Sequence, residues 1–329
     1  GPLFKKKENK SAKTTFLFSV RRSYLQFLFE LLDLPIRPDY WDYQWKISHK
    51  INKYNSLIFL GLGSIDDFSL RSPKIFDSNI QASIEQAPII KQRTITTGLS
   101  WKKKYKDGNG LMTTSLSTNR LGNIFSRFRD NISQSNIVFE NDSYEWETKI
   151  RFKSVRYFND WKTVLGANFQ NSTYSNRTKN ILYGLNYYTK IKFLKLGFHA
   201  RGEKTFLNER LDFSIGFRID SDSFSEGSSL TDNFSPRLSF SYKLKPDNRF
   251  KWNLSIGRYY KMPTYTMLGF KDNDGNYINK GSKYTRSDHY VTGFEYNSSN
   301  SSRITIEGFY KKYSQYPVSL IDNISLANK

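Results

Sequence analysis

The sequence predicts an all-β fold, and within that class a transmembrane antiparallel up-and-down β-barrel. Apolar residues recur at every second position from end to end, which gathers them on one face of each strand. Short and long connections alternate, which places tight turns at one end of the sheet and long loops at the other. No apolar run reaches the roughly 18 residues of a membrane helix, whereas a barrel strand needs apolar residues only at alternate positions.

Taken in order, the first strand offers Phe16, Phe18 and Val20 to one face. Leu25, Leu28, Phe29 and Leu32 then follow helical spacing up to Pro35, so a short interfacial helix or an apolar loop on the rim is expected. The next faces read Trp41, Tyr43, Trp45, Ile47, then Ile58, Leu60, Leu62, then Ile95, Thr97, Leu99, Trp101. A weak strand is expected near 111–119, followed by Tyr144, Trp146, Ile150, Phe152. Leu165, Ala167, Phe169 and Leu194, Leu196, Phe198 come next, and Leu211, Phe213, Ile215, Phe217, Ile219 is the cleanest run. The stretch PRLSFSYKLKPDNRFKWNLSIG (236–257) is a hairpin whose strands show Leu238, Phe240, Tyr242 and Trp252, Leu254, Ile256. Tyr290, Phe294, Tyr296 and Ile304, Ile306, Tyr310 close the series, for about thirteen strands of about ten residues, the length that crosses hydrocarbon at a tilt.

Tight turns are expected at Asn52–Asn55, Asp107–Gly110, Phe158–Asp160, Leu207–Glu209, Pro246–Asn248 and Ser298–Ser301. Long connections are expected at 23–40, 66–90, 121–142, 173–192, 221–235 and 264–283. A soluble sandwich has no need of this asymmetry, and a membrane meander produces it, with short periplasmic and long extracellular links. Lipid is therefore the expected neighbour of the apolar faces. Aromatics at strand ends (Trp41, Trp101, Tyr105, Trp146, Trp161, Phe250, Trp252) fit interfacial girdles, and the prolines fall in loops, turns or at strand starts such as Pro236.

Composition narrows the class further. The 329 residues contain 26 Phe and 22 Tyr, no Cys, and a formal charge of +21. The absence of cysteine excludes disulfides and thiolate metal sites. The excess of cations suits polyanions such as lipopolysaccharide headgroups, an anionic ligand or nucleic acid, or a merely solvated surface. The Gly1-Pro2-Leu3 start is not read as a natural N-terminus.

Five segments resemble the barrel domain of TonB-dependent outer-membrane receptors: 21–47 (RRSYLQFLFELLDLPIRPDYWDYQWKI), 234–244 (FSPRLSFSYKL), 255–270 (SIGRYYKMPTYTMLGF), 284–297 (YTRSDHYVTGFEYN) and 303–313 (RITIEGFYKKY). The resemblance implies a barrel of about 22 strands with a plugged lumen, of which about 13 are expected here. It thus treats residues 1–329 as one piece of a barrel domain, with the plug and the C-terminal strands outside this chain; the end at Ser325–Lys329 lacks the terminal aromatic strand such barrels use. It further implies the outer membrane of a Gram-negative bacterium and energy-coupled uptake of a nutrient such as a metal chelate, glycan or peptide. The implied partners are outer-membrane lipid and lipopolysaccharide, the plug and remaining strands, the TonB energy-coupling complex and a capping surface lipoprotein. No cofactor and no nucleic acid are implied.

Candidate sites are few. His49, His199 and His289 lie on separate strands without metal-ligand spacing. Gly61-Leu62-Gly63-Ser64 lies inside a strand, so it reads as close packing and not as a phosphate loop. Asp272-Asn273-Asp274-Gly275-Asn276 reads as a tight turn, since its spacing does not match a calcium loop. Glu145 and Glu147 share the enclosed face with Lys149 and Arg151, and pairing with those cations is expected over acid–base chemistry, so no enzyme is expected. The enclosed-face cations Arg151, Arg201, Arg218 and Arg237 are candidates for contact with the plug or an anionic ligand, with cross-strand ion pairs as the alternative. The expected loop aromatics Tyr259, Tyr260, Tyr265 and Phe270 either meet a ligand, form the upper girdle or pack loops together. A passive outer-membrane pore or smaller complete barrel, and a soluble basic all-β polyanion-binding protein, are the competing readings of the chain.

Overall fold

The computed structural model describes residues 12–72, 78–226, 228–245, 249–298 and 302–318. Among them thirteen strands form one antiparallel sheet in strict chain order. They are β1 (Thr14–Arg22), β2 (Ile36–Lys50), β3 (Asn55–Leu70), β4 (Ile89–Lys104), β5 (Gly110–Asp130), β6 (Ser135–Phe158) and β7 (Trp161–Asn180). Then come β8 (Leu185–Phe206), β9 (Leu211–Asp222), β10 (Ser235–Lys243), β11 (Phe250–Lys261), β12 (Thr285–Asn297) and β13 (Arg303–Ser314). Three short helices, α1 (Leu25–Leu31), α2 (Ser78–Gln86) and α3 (Tyr265–Leu268), lie in the long connections. The expected Pro246–Asn248 turn, the Gly1-Pro2-Leu3 start and the Ser325–Lys329 end lie outside the described residues, as does part of the Ser298–Ser301 turn.

The pairing register sorts the side chains into two faces. Phe18 pairs with Trp45, Phe169 with Leu196, Phe198 with Ile219, Phe213 with Phe240, Leu238 with Ile256 and Tyr290 with Tyr310, all on the outward apolar face. Among the described residues no second layer covers them. Phe18 keeps 63% of its surface exposed and Ile215 51%, which in water alone would be a heavy cost and in hydrocarbon is none. Apart from Val164, the buried apolar side chains among the described residues form two small clusters, both in the long-connection half of the molecule.

On β3 the structure corrects the expected face. Register through β2 and β4 places Leu57, Phe59, Gly61, Gly63 and Ile65 outward, and Ile58, Leu60 and Leu62 inward. Leu57–Leu60 are four consecutive apolar residues, so alternation alone does not fix the phase of this strand. The outward glycines leave room for large rings from β2. A Cβ at Gly61 would collide with the Trp45 indole, and one at Gly63 would meet the Tyr43 hydroxyl at 2.5 Å. The GxG pattern is thus a seat for two aromatic girdle side chains.

The strands also differ from the expected uniform length. They run from 9 residues in β1 and β10 to 24 in β6. The expected weak strand near 111–119 is part of β5, which has 21 residues. The expected long connections at 121–142 and 173–192 are strand instead: the β5–β6 and β7–β8 hairpins continue past the apolar band and close in tight turns, with Gly184 at φ 63 in the second. Backbone pairing persists in water, so strand need not stop where lipid does. At the opposite end the β6–β7 turn is Asn159–Asp160, with φ 46 and 64, the mirror-image geometry that suits right-twisted hairpins. Pro38 is three residues into β2, beyond the last β1 pair, Arg22 with Trp41.

α1 forms where helical spacing was read, and Ser23 Oγ accepts the Leu25 N–H at 3.1 Å at its start. None of its residues is buried. α2 packs Ile84 against Leu70 and Ile89, and the amide of Asn131 donates to the carbonyls of Ile84, Glu85 and Ala87 at 2.8, 3.1 and 2.9 Å. That side chain closes the C-terminal end of the helix, whose carbonyls have no partners within it.

Candidate functional site

The inward face of β6–β11 carries two neighbouring cavities. The deeper one, about 420 Å³, is lined by Lys153, His199, Arg201, Arg218, Arg237 and Tyr259, with serines 214, 239 and 255. Alternation places each of these inward, because β8 to β11 keep one unbroken register. Gly216 and Gly257 flank Arg237 in the pairing, so the guanidinium has room to lie over the Tyr259 ring at 4.5 Å. The Tyr259 ring in turn rests 4.7 Å from His289.

The charges here are unequally matched. Arg218 holds Asp220 through two nitrogens at 2.5 and 2.6 Å and donates to Asn168 Oδ1 at 3.2 Å. Arg201 meets Glu203 at 2.8 Å, and Lys162 reaches the same carboxylate at 2.6 Å. These pairs are two residues apart on a strand or across it. Among the described residues Lys153 and Arg237 form no ion pair, and His199 Nδ1 is buried without a hydrogen bond. The pocket therefore keeps spare positive charge.

The upper cavity, about 550 Å³, shares Arg218 with the lower one and adds Asp220, Glu145, Glu147, Lys195, Tyr260, Tyr265 and Tyr284. Its roof is residues 262–284, which connect β11 to β12 but are fastened to β6–β8. The Tyr265 hydroxyl donates to Glu147 Oε1 at 2.5 Å, and Glu147 also holds Lys149 at 2.5 Å and Gln170 at 3.0 Å. The carbonyl of Gly269 accepts from Tyr187 and Thr189 at 3.1 and 2.5 Å, and Tyr277 donates to the Lys190 carbonyl at 2.7 Å. Met262, Leu268 and Tyr284 pack with Tyr174, Ile191 and Phe193 beneath this strap. Burial and the bond to Glu147 push the Tyr265 hydroxyl well above the usual tyrosine range, and burial beside Asp222 does the same to Tyr284.

Of the four candidate arginines, Arg201, Arg218 and Arg237 line the deeper cavity. Arg151 does not; it faces Asn168 across the β6–β7 pair, exposed and outside both linings. Glu147 pairs with Lys149 as expected, whereas Glu145 forms no ion pair among the described residues. Tyr259 and Tyr260 belong to β11 and not to a loop; Tyr265 packs against Phe193 at 5.1 Å and Phe270 against Tyr187 at 6.0 Å, so both fasten the strap. Inward alternation on β8 would have added Lys195 and His199 to the list. Nothing in the sequence marks Tyr265 as the partner of Glu147.

For metal chemistry, the three histidines occupy β2, β8 and β12, and no group of three or more potential ligands converges among the described residues. The DNDGN segment is a tight turn: Asp272 Oδ1 accepts from the N–H groups of Asp274 and Asn276 at 3.0 and 2.8 Å, and Gly275 takes φ 87.

The family described as TonB dependent receptor-like, beta-barrel, matches residues 31–328. No curated protein sequence matches the chain. Among solved structures, the siderophore receptor PirA from Acinetobacter baumannii superposes with a TM-score of 0.67 at 11% identity, over 99% of this chain and 52% of that one. The copper transporter OprC gives 0.65 at 13% identity, over 91% and 49%. The ferric enterobactin receptor PfeA of Pseudomonas aeruginosa, in complex with enterobactin, gives 0.64 at 13% identity, over 95% and 51%. The chain spans about half the length of the receptors it resembles.

Proposed function

The chain belongs to the TonB-dependent receptor β-barrel family, and on that premise we propose that it forms part of the wall of an energy-coupled importer of a scarce nutrient. As a member it resides in the outer membrane of a Gram-negative bacterium and is not an enzyme. The observation that carries the reading is the pair of linked inward cavities under a fastened strap, one basic and one of mixed charge. Such an arrangement suits capture of a polar solute from the extracellular side, and the solved neighbours named for siderophores and copper make a metal chelate the first candidate, ahead of a glycan or a peptide. Arg201, Arg218 and Arg237 would meet the solute or a plug filling the lumen, and Arg151, exposed on the same face, would meet the plug. The plug, the remaining strands, the TonB complex, lipopolysaccharide and a capping lipoprotein complete the proposed set of partners.

The test is transport by the full-length protein in cells lacking their own chelate receptors, with and without TonB. Accumulation of a labelled ferric siderophore that disappears without TonB supports the proposal. Accumulation that ignores TonB would make the barrel a passive pore.

A further inference from the structure

Register sets the basic side chains of the deeper cavity in two neighbouring inward rows, with glycines between them. One row reads Lys153, Gly166, His199, Arg218, Ser235 from β6 to β10. The next reads Val164, Arg201, Gly216, Arg237, Gly257, His289 from β7 to β12. Each glycine makes room for a neighbour to lie along the wall. A Cβ at Gly166 would collide with the His199 ring, one at Gly216 would stand 3.1 Å from Arg201 Cβ, and one at Gly257 would stand 2.9 Å from the Tyr259 hydroxyl. His199, Arg201 and Tyr259 therefore lie down over glycine instead of filling the lumen, and the space they leave is the cavity.

Among the described residues no carboxylate lines this cavity. The upper cavity, by contrast, holds Glu145, Glu147 and Asp220, and a third inward cavity toward the periplasmic turns holds Glu203, Asp212 and Glu307. Arg218 is neutralised by Asp220, but Arg201 and Lys162 divide the single charge of Glu203. With Lys153 and Arg237 unmatched, the walls present at least two positive charges without a partner. Stacking on Tyr259 fixes the plane of the Arg237 guanidinium and leaves its N–H edge for an oxyanion. Ser214, Ser239 and Ser255 follow in the next row and add hydroxyl groups to the lining.

Resting on the reading of the inward cavities as the capture site, we propose that the deeper one seats a dianionic phosphate monoester group carried by the solute, as in a phosphorylated sugar. Arg237 and Arg201 flank the group across Gly216, Lys153 faces it from β6, and the serines take its remaining oxygens and the adjoining hydroxyls. A phosphate monoester is mostly dianionic at neutral pH, its second ionisation lying near pH 6, so it matches the spare charge. A carboxylate or a sulfate ester brings one charge and leaves a cation unmatched. At about 420 Å³ the cavity lies toward the small end of ligand pockets, roughly 300–1,000 Å³, which suits one compact charged group and a ring attached to it.

The test is calorimetric titration of the full-length protein in detergent, at neutral pH and fixed ionic strength, with glucose 6-phosphate, inorganic phosphate, glucose 6-sulfate and glucose. Both phosphates should bind, the sulfate at least tenfold more weakly, and glucose not at all. Arg237→Gln should weaken glucose 6-phosphate roughly tenfold or more, and Arg237→Gln with Lys153→Gln roughly 100-fold. Lys46→Gln, on the inward face of β2 and outside this cavity, should leave binding unchanged. Melting temperature in the same detergent separates a folding failure from a lost site; should the double variant misfold, Arg237→Gln alone decides. Equal affinity for the sulfate or for glucose, no binding of either phosphate, or undiminished binding by a folded variant would overturn the proposal. Binding needs neither TonB nor transport, so the two readings fail separately. TonB-dependent uptake of a ferric siderophore by a protein that binds no phosphate would sink this inference alone.

Discussion

The hydroxyl of Tyr265 and the carboxylate of Glu147 stand 2.5 Å apart although 118 positions separate them in the chain. This bond fastens the β11–β12 connection to the inside of β6. Tyr265→Phe removes the donor and leaves Glu147 with Lys149 and Gln170. A hydrogen bond to a charged group is worth about 1.5–3 kcal/mol, so amide exchange across residues 264–284 should accelerate by roughly 10- to 100-fold. Unchanged protection would mean that the apolar contacts alone hold the strap.

Alkaline titration reads the same strap. The raised values of Tyr265 and Tyr284 mean that the folded protein favours their neutral forms. Their contribution to stability is complete below the ordinary tyrosine value of 10.0 and is lost as pH rises through the raised folded values. Tyrosinate absorbance in detergent should show late-titrating groups, one of which vanishes in Tyr265→Phe and another in Tyr284→Phe.

Adjacent positions on β9 face different media. Ile215 pairs with Leu238 on the lipid side, in the middle of the apolar row of β9, and Ser214 lines the deeper cavity. Ile215→Arg should cost about 2–4 kcal/mol of barrel stability, and Ser214→Arg much less. Equal penalties in a bilayer refolding assay would contradict the assignment of faces.

A side chain at Gly61 must displace the Trp45 ring. Gly61→Leu should therefore cost about 1–3 kcal/mol and shift the tryptophan emission, because the indole loses its seat at the interface. An unshifted spectrum with unchanged stability would show that the ring does not rest on that glycine.

Asp272 organises its turn by accepting backbone N–H groups, which holds its carboxyl below the ordinary value of 3.8. The contribution is present above that value and fades as pH falls through the lowered one. Amides of Asp274 and Asn276 should lose protection on acidification, and Asp272→Ala should remove it at neutral pH.

Much of the architecture was legible because a period of two survives where one face is apolar and the other polar. The number of strands, the outward face of β9 and the hairpin of β10 and β11 follow from alternation alone. The phase of β3 is not legible because apolar residues occupy both faces of it, and only pairing with Trp45 and Leu99 sets it. The length of the β5–β8 hairpins is not legible because polar residues at a period of two look like loop once the apolar partner is missing. At the site, the inward arginines could be listed from parity. Which of them converge, and that Arg151 does not, depends on the lateral offset between strands, which no single strand encodes.

The hairpins that outrun the apolar band have a mechanical consequence. Strands of 20 to 24 residues in β6–β8 are about twice what a bilayer requires, so their tips stand in water as a stiff palisade on one flank of the mouth. A diffusing molecule arriving over that flank strikes rigid ribbon before it can reach the cavities. Arrival is thereby biased toward the lower flank near β10 and β11, where strands are short and the strap is the only barrier in the described residues.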